Sequence, residues 1–422
     1  MRRLKDWLQT YIQYTQFSEA PQHFHFWTGV SVIAGALRRQ VWLDMGYFQW
    51  TPNFYIILVA PPGIVTKSTT VDIGKHLLAN VSTVKFGPSA LTWQALIQEL
   101  QSASELFQTE DGTFYPMSCL NFFVREFGTL VDLQDRVMID VLVDLWDSPQ
   151  GTWEKATKMF GRESVANPWI NVIAGTTPAW LARNLPREMI GGGFTSRCIF
   201  ILGERKRHLV PYPSRCTTPE WLEKIKQDLI IDLEAISMLK GPFKLTEEAF
   251  TYGEDWYKEL YAQLIQHAKT HTDFGGYIAR KQSHLHKLAM VISASKRDTL
   301  EITANDLRVA SKILTALEAD LPAIFHSITT TETMEQAGKL VEIVQEKGII
   351  RVTELYQLFF HNVQFHVFQD MLTSAVNAGY VMQKATNDGM FIVALGKAAG
   401  IAGAAPSNVA ESEVPASVDS GS

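Results

Sequence analysis

Phe54-Tyr55-Ile56-Ile57-Leu58-Val59, followed by Ala60-Pro61-Pro62-Gly63-Ile64-Val65-Thr66-Lys67-Ser68-Thr69-Thr70, is the stretch that decides the fold of this chain. The first run has the composition of a buried strand, and a helical pattern follows the second. A strand, a tight Gly/Pro turn, a Lys beside a Ser and a helix start are the parts of a phosphate-binding loop. Such a loop offers a polyphosphate backbone N–H groups, a positive helix end and a cation. We therefore expect a nucleotide with Mg²⁺; an ordinary strand-turn-helix is the alternative.

The loop departs from the usual pattern G-x-x-x-x-G-K-[ST], because Thr66 stands where a Gly normally precedes the Lys. It is also one residue longer between Gly63 and Lys67. Thr is β-branched and resists positive φ, so we expect the extra residue to let the chain curl without a Gly at this position. The predicted nucleotide-binding residues of the loop are Pro62, Gly63, Ile64, Val65, Thr66, Lys67, Ser68 and Thr69.

Composition limits the classes of protein that remain. A chain of 422 residues exceeds the usual single core, so two or three domains are expected. The net charge of −6 removes the overall basic character of many nucleic-acid binders, so any DNA contact must come from local clusters. Three widely spaced cysteines form neither a disulfide framework nor a zinc pattern, which favours a reducing, cytoplasmic setting.

The two ends of the chain carry little structural signal of their own. The positive start, Met1-Arg2-Arg3, is not followed by an apolar run, and no segment approaches the roughly 20 apolar residues that span a bilayer. We therefore expect no membrane segment. From Gly396 onward the sequence is dominated by Ala, Gly, Ser and Pro, which predicts a disordered tail.

Five short apolar runs alternate with helical patterns between residues 54 and 202, and this predicts a parallel sheet covered by helices. Ligands of such sheets bind at the carboxyl ends of the strands. Each run is followed there by polar or Gly-containing residues. The runs are residues 54–59, 84–86, 120–124, 170–174 and 198–202.

The third run ends in Val124-Arg125-Glu126-Phe127-Gly128, which puts a carboxylate at a strand end beside the predicted phosphate loop. Nucleotide hydrolases place the group that orients the attacking water, or that holds Mg²⁺, at such a position. Glu126 is the candidate, and a solvent-facing Glu is the alternative. Because Arg125 replaces the usual Asp, the metal is expected on Ser68 and water.

Two further groups follow in the order expected of a sensor and an arginine finger. Thr176 and Thr177 follow the fourth run, where a hydroxyl could bond the terminal phosphate or the attacking water. Arg197 ends the loop Gly191-Gly192-Gly193-Phe194-Thr195-Ser196. An Arg there could cross a subunit boundary and stabilise charge on a neighbour's nucleotide. A local salt bridge is the alternative for Arg197.

Cations elsewhere in the chain suggest two additional contacts. Lys155, Lys158 and Arg162 alternate with aromatic residues between the third and fourth runs, which suits the phosphates and bases of single-stranded DNA. Solvated surface charge is equally compatible with them. Residues 245–321 read as helical throughout, and Arg280 lies on a polar face there. A helical lid that brings Arg280 to the nucleotide would have this pattern, with surface basicity as the alternative.

The C-terminal part changes pattern again. Helices over residues 337–345, 352–360 and 365–378, followed by strands flanking Asn387-Asp388-Gly389, predict a winged-helix module. Such modules often bind duplex DNA through the third helix. His366, Gln369 and Asp370 on that helix are not basic, so protein partners and DNA both remain open.

These motifs together resemble the AAA+ branch of P-loop ATPases. More narrowly, the chain is similar to the helicase-type domain of phage and mobile-element replication proteins, which is often fused to primases and distantly similar to minichromosome maintenance helicases. The resemblance rests on the loop around Lys67, the strand end at Glu126, residues 171–178, residues 193–197 and the helix carrying Arg280. It covers residues 4–321.

The resemblance implies an ASCE-like parallel sheet with N-terminal helices, a helical lid and an added winged helix. It also implies a homo-oligomeric ring, often hexameric, that hydrolyses ATP with Mg²⁺ and moves along single-stranded DNA in the host cytoplasm, with a separate primase. Lys67 would hold the β- and γ-phosphates, Ser68 the Mg²⁺ and Glu126 the water. Thr176 or Thr177 would be the sensor, Arg280 a second sensor, and Arg197 would reach the neighbouring nucleotide.

The alternative function is a weakly hydrolysing scaffold or loader that recruits partners. The predicted domains are 1–50 helical, 51–210 ATPase core, 211–330 lid, 331–395 winged helix and 396–422 tail.

Overall fold

The structure, a computed structural model, describes residues 2–109, 112–157, 161–186, 189–190, 192–270, 275–360, 363–386 and 389–394. Within these residues the protein is mixed α/β and contains parallel strands, as its sequence predicts. The chain divides into two compact units, Met1–Thr331 and Glu332–Ser422. The predicted tail, 396–422, lies outside the described residues.

The helices and strands of the first unit alternate along the chain. The helices are α1 Trp7–Tyr14, α2 Gln22–Leu37, α3 Lys67–Leu78, α4 Trp93–Ser102, α5 Phe127–Leu130, α6 Arg136–Trp146, α7 Pro178–Asn184, α8 Pro219–Ser237, α9 Glu247–Thr270, α10 Gly275–Lys296 and α11 Ala304–Glu318. The strands are β1 Val41–Asp44, β2 Gln49–Trp50, β3 Tyr55–Val59, β4 Ser104–Gln108, β5 Phe114–Val124, β6 Thr152–Thr157, β7 Gly161–Ala166, β8 Pro168–Thr176, β9 Cys198–Leu202, β10 Gly241–Leu245 and β11 Glu301–Ile302.

The main sheet has the order β4-β5-β8-β3-β9. Strands β5, β8, β3 and β9 are parallel, and β4 pairs antiparallel with β5 at the edge. Four of the five predicted runs are therefore strands of one parallel sheet. The run at 84–86 is not a strand, because only Phe86 forms an isolated bridge, with Asn121. Strand β4 takes the edge instead, and no alternating pattern in the sequence predicted it.

Both faces of the main sheet are covered, which explains why β3 is apolar along its whole length. Ile56 and Leu58 pack into a core with α2, α3 and α10. Tyr55, Ile57 and Val59 point to the opposite face and pack with residues of α4 and α6. Successive side chains of a strand alternate between its faces, so one apolar run serves both cores.

A second sheet of order β11-β10-β1-β2 corrects two predictions from the sequence. Residues 41–50 contain strands β1 and β2, so the N-terminal 1–50 region is not wholly helical. The predicted lid, 211–330, contains β10 and β11 besides its helices. Val41 pairs in parallel with Gly241, two hundred residues later. Sequence periodicity carries no information about such distant partners, because pairing depends on the folded path of the chain.

The last helix of the first unit, α12 Leu321–Lys347, continues into the second unit across the predicted boundary at 330/331. The other elements of the second unit are β12 Ile349–Arg351, α13 Val352–Phe359, α14 Phe365–Asn377, β13 Val381–Thr386 and β14 Gly389–Ala394. They confirm the two later helices and the predicted hairpin, whose turn residues Asn387 and Asp388 lie outside the described residues. The sheet order β12-β14-β13 adds a third strand that the sequence did not predict. Among the described residues, no helix combines the length and apolar character needed to cross a bilayer.

Candidate functional site

The segment between β3 and α3 turns sharply at two residues. Thr66 has φ −87° and ψ 59°, and the Lys67 N–H donates to the Val65 carbonyl at 3.0 Å. This is an inverse γ-turn, a conformation that a β-branched residue can adopt. The positive φ in the loop falls on Gly63, at +72°. The expectation that Thr66 would avoid positive φ is confirmed.

Helix α3 begins without a capping side chain. Its N-cap residue, Thr66, makes no side-chain cap bond, whereas Thr92 caps α4 and Thr177 caps α7. The first N–H groups of a helix have no partner within the helix, and the helix end carries partial positive charge. The start of α3, where Ser68 is half-buried and Thr69 exposed, is therefore suited to an anion.

Lys67 is folded back across the loop. Its ammonium donates to the carbonyl of Ala60 at 2.8 Å and to that of Pro61 at 3.4 Å, and the residue is only 6% exposed. Burial lowers the pKa of Lys67, and the charge of Glu126 acts in the opposite direction. Both hydrogen-bond acceptors are neutral. The lysine therefore brings a positive charge to the loop without a carboxylate in hydrogen-bond contact.

Gly175 brings the end of β5 close to the start of α3. A Cβ on Gly175 would lie 2.6 Å from the Arg125 carbonyl oxygen and 3.5 Å from the Lys67 Cβ. Strand β8 lies between β5 and β3, so only a residue without a side chain lets the two strand ends approach so closely. Glu126, at the N-cap of α5, is exposed and makes no cap bond. Sequence reasoning missed Gly175, which it treated as part of a turn.

The two threonines at the end of β8 have different surroundings. Thr176 is 1% exposed and pairs with Val59, and its carbonyl accepts from the Ala60 N–H at 3.2 Å. The Thr177 hydroxyl accepts from the Trp180 N–H at 3.1 Å and so caps α7. Thr176 therefore lies beside the start of the loop, while the Thr177 hydroxyl is already used as a helix cap.

Arg125 pairs with Asp72 of α3, with 2.9 Å between Nη2 and the carboxylate. The Arg125 side chain is 70% exposed, and the two residues line a cavity of about 530 Å³ that also includes Glu126. The sequence showed that Arg125 stands where an acid is usual, but not which residue balances its charge. Asp72 supplies that charge from the neighbouring helix.

Arg197 lies at the edge of the sheet formed by the amino ends of its parallel strands, opposite the edge formed by their carboxyl ends. It directly precedes the amino end of β9, whose Cys198 pairs with Tyr55 at the start of β3. Arg197 is 5% exposed; its guanidinium donates to Asp147 Oδ2 at 2.5 Å and to the Gly193 carbonyl at 2.6 Å. This is the local ion pair that the sequence left as an alternative. Gly191, in the preceding loop, lies outside the described residues.

Arg280 of α10 contacts the same carboxylate as Arg197, with its Nη1 3.3 Å from Asp147 Oδ1. It therefore lies at the amino edge of the sheet, away from the loop that carries Lys67. The expectation that Arg280 acts as a second sensor stays a prediction, and its contact with Asp147 places it beside Arg197. Helical periodicity identified a polar face on α10 but could not show which edge of the sheet that face meets.

The basic insertion between the third and fourth predicted runs is an antiparallel hairpin of β6 and β7. Lys155 lies over the Trp93 ring, with its Nζ 5.2 Å from the ring centre. Arg162 pairs with Glu154 across the hairpin at 3.4 Å. Lys158 lies outside the described residues. The hairpin thus holds two of the predicted nucleic-acid residues on one small two-stranded sheet.

The structure therefore separates the predicted residues into two groups. Lys67, Ser68, Glu126 and Thr176 lie at the carboxyl edge of the sheet, while Arg197 and Arg280 meet at the amino edge. Among the described residues, no group of three or more His, Cys, Asp and Glu could hold a metal ion. A comparison of the chain with models of protein families found no match. A comparison with curated proteins found no significantly similar sequence.

Proposed function

We propose that this chain is an AAA+ type P-loop ATPase that acts as an oligomeric DNA helicase or translocase in the replication of a phage or other mobile element. One observation carries the proposal: a lysine, an uncapped helix end and an exposed carboxylate converge at the carboxyl edge of a parallel sheet. Ligands of open parallel sheets bind at this edge. This convergence supports nucleotide binding, and the helicase role is proposed from the resemblance of the motifs and their order.

The residues at the carboxyl edge fit Mg-ATP. The first-turn N–H groups of α3 and the Lys67 ammonium would hold the β- and γ-phosphates, and the Ser68 hydroxyl would bind the Mg²⁺. Bound Mg²⁺ would neutralise charge on the phosphates. Glu126, close enough to Lys67 to influence its pKa, would orient the attacking water. Thr176 takes the sensor role, because the Thr177 hydroxyl caps a helix.

The arginines support an oligomer rather than a single subunit. Strand β9 separates Arg197 from the carboxyl edge by five residues, roughly 16 Å of strand, so neither Arg197 nor Arg280 would reach the phosphates of its own chain. In a ring, the amino edge of one protomer would face the nucleotide of the next. Both arginines would then act on the neighbour's phosphates, as an arginine finger does.

Single-stranded DNA is proposed as the polymer that the ring moves along. The β6–β7 hairpin, which follows β5 and α6 along the chain and precedes β8, carries Lys155 and Arg162 on a separate two-stranded sheet. Priming would be supplied by a separate primase.

The test is DNA-stimulated ATP hydrolysis by the full chain. Lys67→Ala and Glu126→Gln should each reduce turnover by at least roughly a hundredfold, while Glu126→Gln keeps nucleotide affinity. Lys312→Ala removes an exposed lysine of α11 and serves as the charge-matched control. Turnover that survives both site variants would contradict the proposal.

A second function, a weakly hydrolysing scaffold or loader, is favoured by two observations. Arg125 stands where an acid would assist the metal, and it is paired with Asp72. Residues 332–394 contain seven Asp and Glu against four Lys and Arg, a balance of −3 that disfavours duplex DNA as the partner of a winged-helix module. A scaffold would bind ATP through Lys67 but show little turnover for Glu126→Gln to remove.

A further inference from the structure

Asp147 is the shared anion of the amino-edge cluster. Its Oδ2 accepts from Arg197 and its Oδ1 lies 3.3 Å from Arg280, so one carboxylate serves two guanidinium groups. Asp147 is the C-cap of α6, and Ser148 follows it with φ +51°. Arg39 donates to the Ser148 carbonyl at 2.7 Å, which anchors this backbone.

The two arginines are incompletely balanced by this single carboxylate. The buried Arg197 Nε–H has no hydrogen-bond partner among the described residues. Burial lowers the pKa of Arg280, and the nearby charge of Arg197 lowers it further. A guanidinium has five N–H donors, and a phosphate offers more acceptors and more negative charge than a carboxylate. The pair could therefore bind a phosphate better than it binds Asp147.

Space for a phosphate adjoins the pair. A cavity of about 350 Å³ lies between β2, the end of α6 and α10, and Arg280 and Asp147 both line it. Lys287 also lines it; its buried ammonium bonds the neutral Asn53 Oδ1 at 2.7 Å. The cavity thus combines two basic side chains, Arg280 and Lys287, with one carboxylate, Asp147.

We propose that the Asp147 carboxylate competes with the terminal phosphate of a neighbouring protomer's nucleotide for binding to Arg197 and Arg280. In an isolated protomer Asp147 binds both arginines, and the neighbour's phosphate displaces it when the protomers assemble. This inference rests on the proposed function, because it makes the action of the two arginines on ATP depend on assembly of the oligomer. Asp147 weakens the binding of other anions to the arginines of a free protomer. Hydrolysis then requires a neighbouring protomer with bound nucleotide.

The first test measures an anion without requiring hydrolysis. In full-length protein carrying Lys67→Ala, which removes the other phosphate site, inorganic tripolyphosphate is titrated by calorimetry. Adding Asp147→Asn should tighten its binding by roughly tenfold, as expected when a competing charge-assisted hydrogen bond is removed. Asp147→Ser, also neutral, replaces the Asn variant if that protein does not fold. Equal or weaker binding in the neutral variant would overturn the inference.

Two controls isolate the cluster. Asp140→Asn changes the net charge equally and alters an exposed residue two turns earlier on α6, so it should leave tripolyphosphate affinity unchanged. Adding Arg280→Ala to the Lys67→Ala, Asp147→Asn protein should abolish the gain. A gain that persists without Arg280 would mean that the anion binds elsewhere, and would also overturn the inference.

A second measurement follows ATP hydrolysis against protein concentration. In an otherwise wild-type chain, Asp147→Asn should reach half-maximal turnover per protomer at a protein concentration several-fold lower, because the arginines engage a neighbour without displacing Asp147. An unchanged concentration dependence argues against competition. If the wild-type chain hydrolyses no ATP but the tripolyphosphate result holds, the proposed function fails and the competitor role survives. If the wild-type chain hydrolyses ATP normally but Asp147→Asn does not change tripolyphosphate binding, the competitor role fails and the proposed function survives.

Discussion

Lys67 and Arg197 lie at opposite edges of one parallel sheet. Lys67 begins the helix after the carboxyl end of β3, and Arg197 immediately precedes the amino end of the neighbouring strand β9. Because β3 and β9 are parallel and in register, the strand itself sets the separation between the two residues. Any joint action of these residues on one nucleotide therefore requires two chains.

The first prediction is that defective subunits complement each other. Lys67→Ala and Arg197→Ala proteins should each hydrolyse little ATP, but an equal mixture should recover activity, since about a quarter of the interfaces in a random ring pair an intact Lys67 with an intact Arg197. The measurement is turnover across mixing ratios. Lys67→Ala mixed with Glu126→Gln is the matched control: both changes affect the same half-site, so no recovery is expected. No recovery with Arg197→Ala at any ratio would argue that the Asp147 ion pair is only structural.

The second prediction concerns Gly175. Replacement by Ala places a Cβ 2.6 Å from the Arg125 carbonyl, a backbone atom that cannot move aside alone. Gly175→Ala should lower the free energy of unfolding by about 1–3 kcal/mol and reduce ATP turnover by displacing Glu126 from Lys67. Urea unfolding and turnover are measured together.

Gly253→Ala in α9 is the control for Gly175→Ala. The nearest atom to its added Cβ is 3.9 Å away, so the change should stabilise the helix by about 0.5–1 kcal/mol. Equal effects of the two substitutions would show that close approach at Gly175 is not important.

The third prediction concerns the β6–β7 hairpin. Changing Lys155 and Lys158 to Gln should weaken binding of single-stranded DNA and reduce the slope of log affinity against log salt by about 0.7 for each DNA phosphate that the protein no longer neutralises. Fluorescence anisotropy over a salt series measures both quantities, with Lys312→Gln as the control for loss of an exposed lysine elsewhere. Unchanged affinity would place the DNA path on another surface.

The fourth prediction is a loss of stability in mild acid. Burial lowers the pKa of His25 and His284 to about 3 and that of His286 to about 4. In the unfolded chain a histidine takes up a proton near pH 6.5, before the folded chain does, so the free energy of unfolding falls as pH drops below about 6.5. The contribution is complete above that pH and is lost progressively towards pH 4, at about 1.4 kcal/mol per pH unit for each histidine.

Urea unfolding between pH 7 and 5 tests this loss. His286→Phe removes one titrating group and keeps a ring against Trp50, whose centre lies 4.9 Å from that of His286. Its stability should fall less with acid than that of the wild type. His76→Phe, at an exposed position of α3, is the control for the change from histidine to phenylalanine. An identical acid loss in all three proteins would exclude His286 as a contributor.

Several features could be predicted from the sequence because they depend on neighbouring residues. The apolar run of β3, the turn around Gly63 and the start of α3 at Lys67 are local in origin, and so is the avoidance of positive φ at Thr66. The prediction of a strand at residues 84–86 was wrong. A short apolar run signals burial, and burial is compatible with the isolated bridge that Phe86 makes.

The sequence by itself determined the mixed α/β class, the strand-loop-helix around Lys67 and the residues eligible for a nucleotide site. Only the tertiary structure decided which of them meet. The order β5-β8-β3-β9 and the missing side chain of Gly175 bring Glu126 towards Lys67, while Asp147 gathers Arg197 and Arg280 at the other edge. The physical reason is that hydrophobic periodicity reports which side chains are buried, whereas strand order and ion pairing depend on contacts between distant segments.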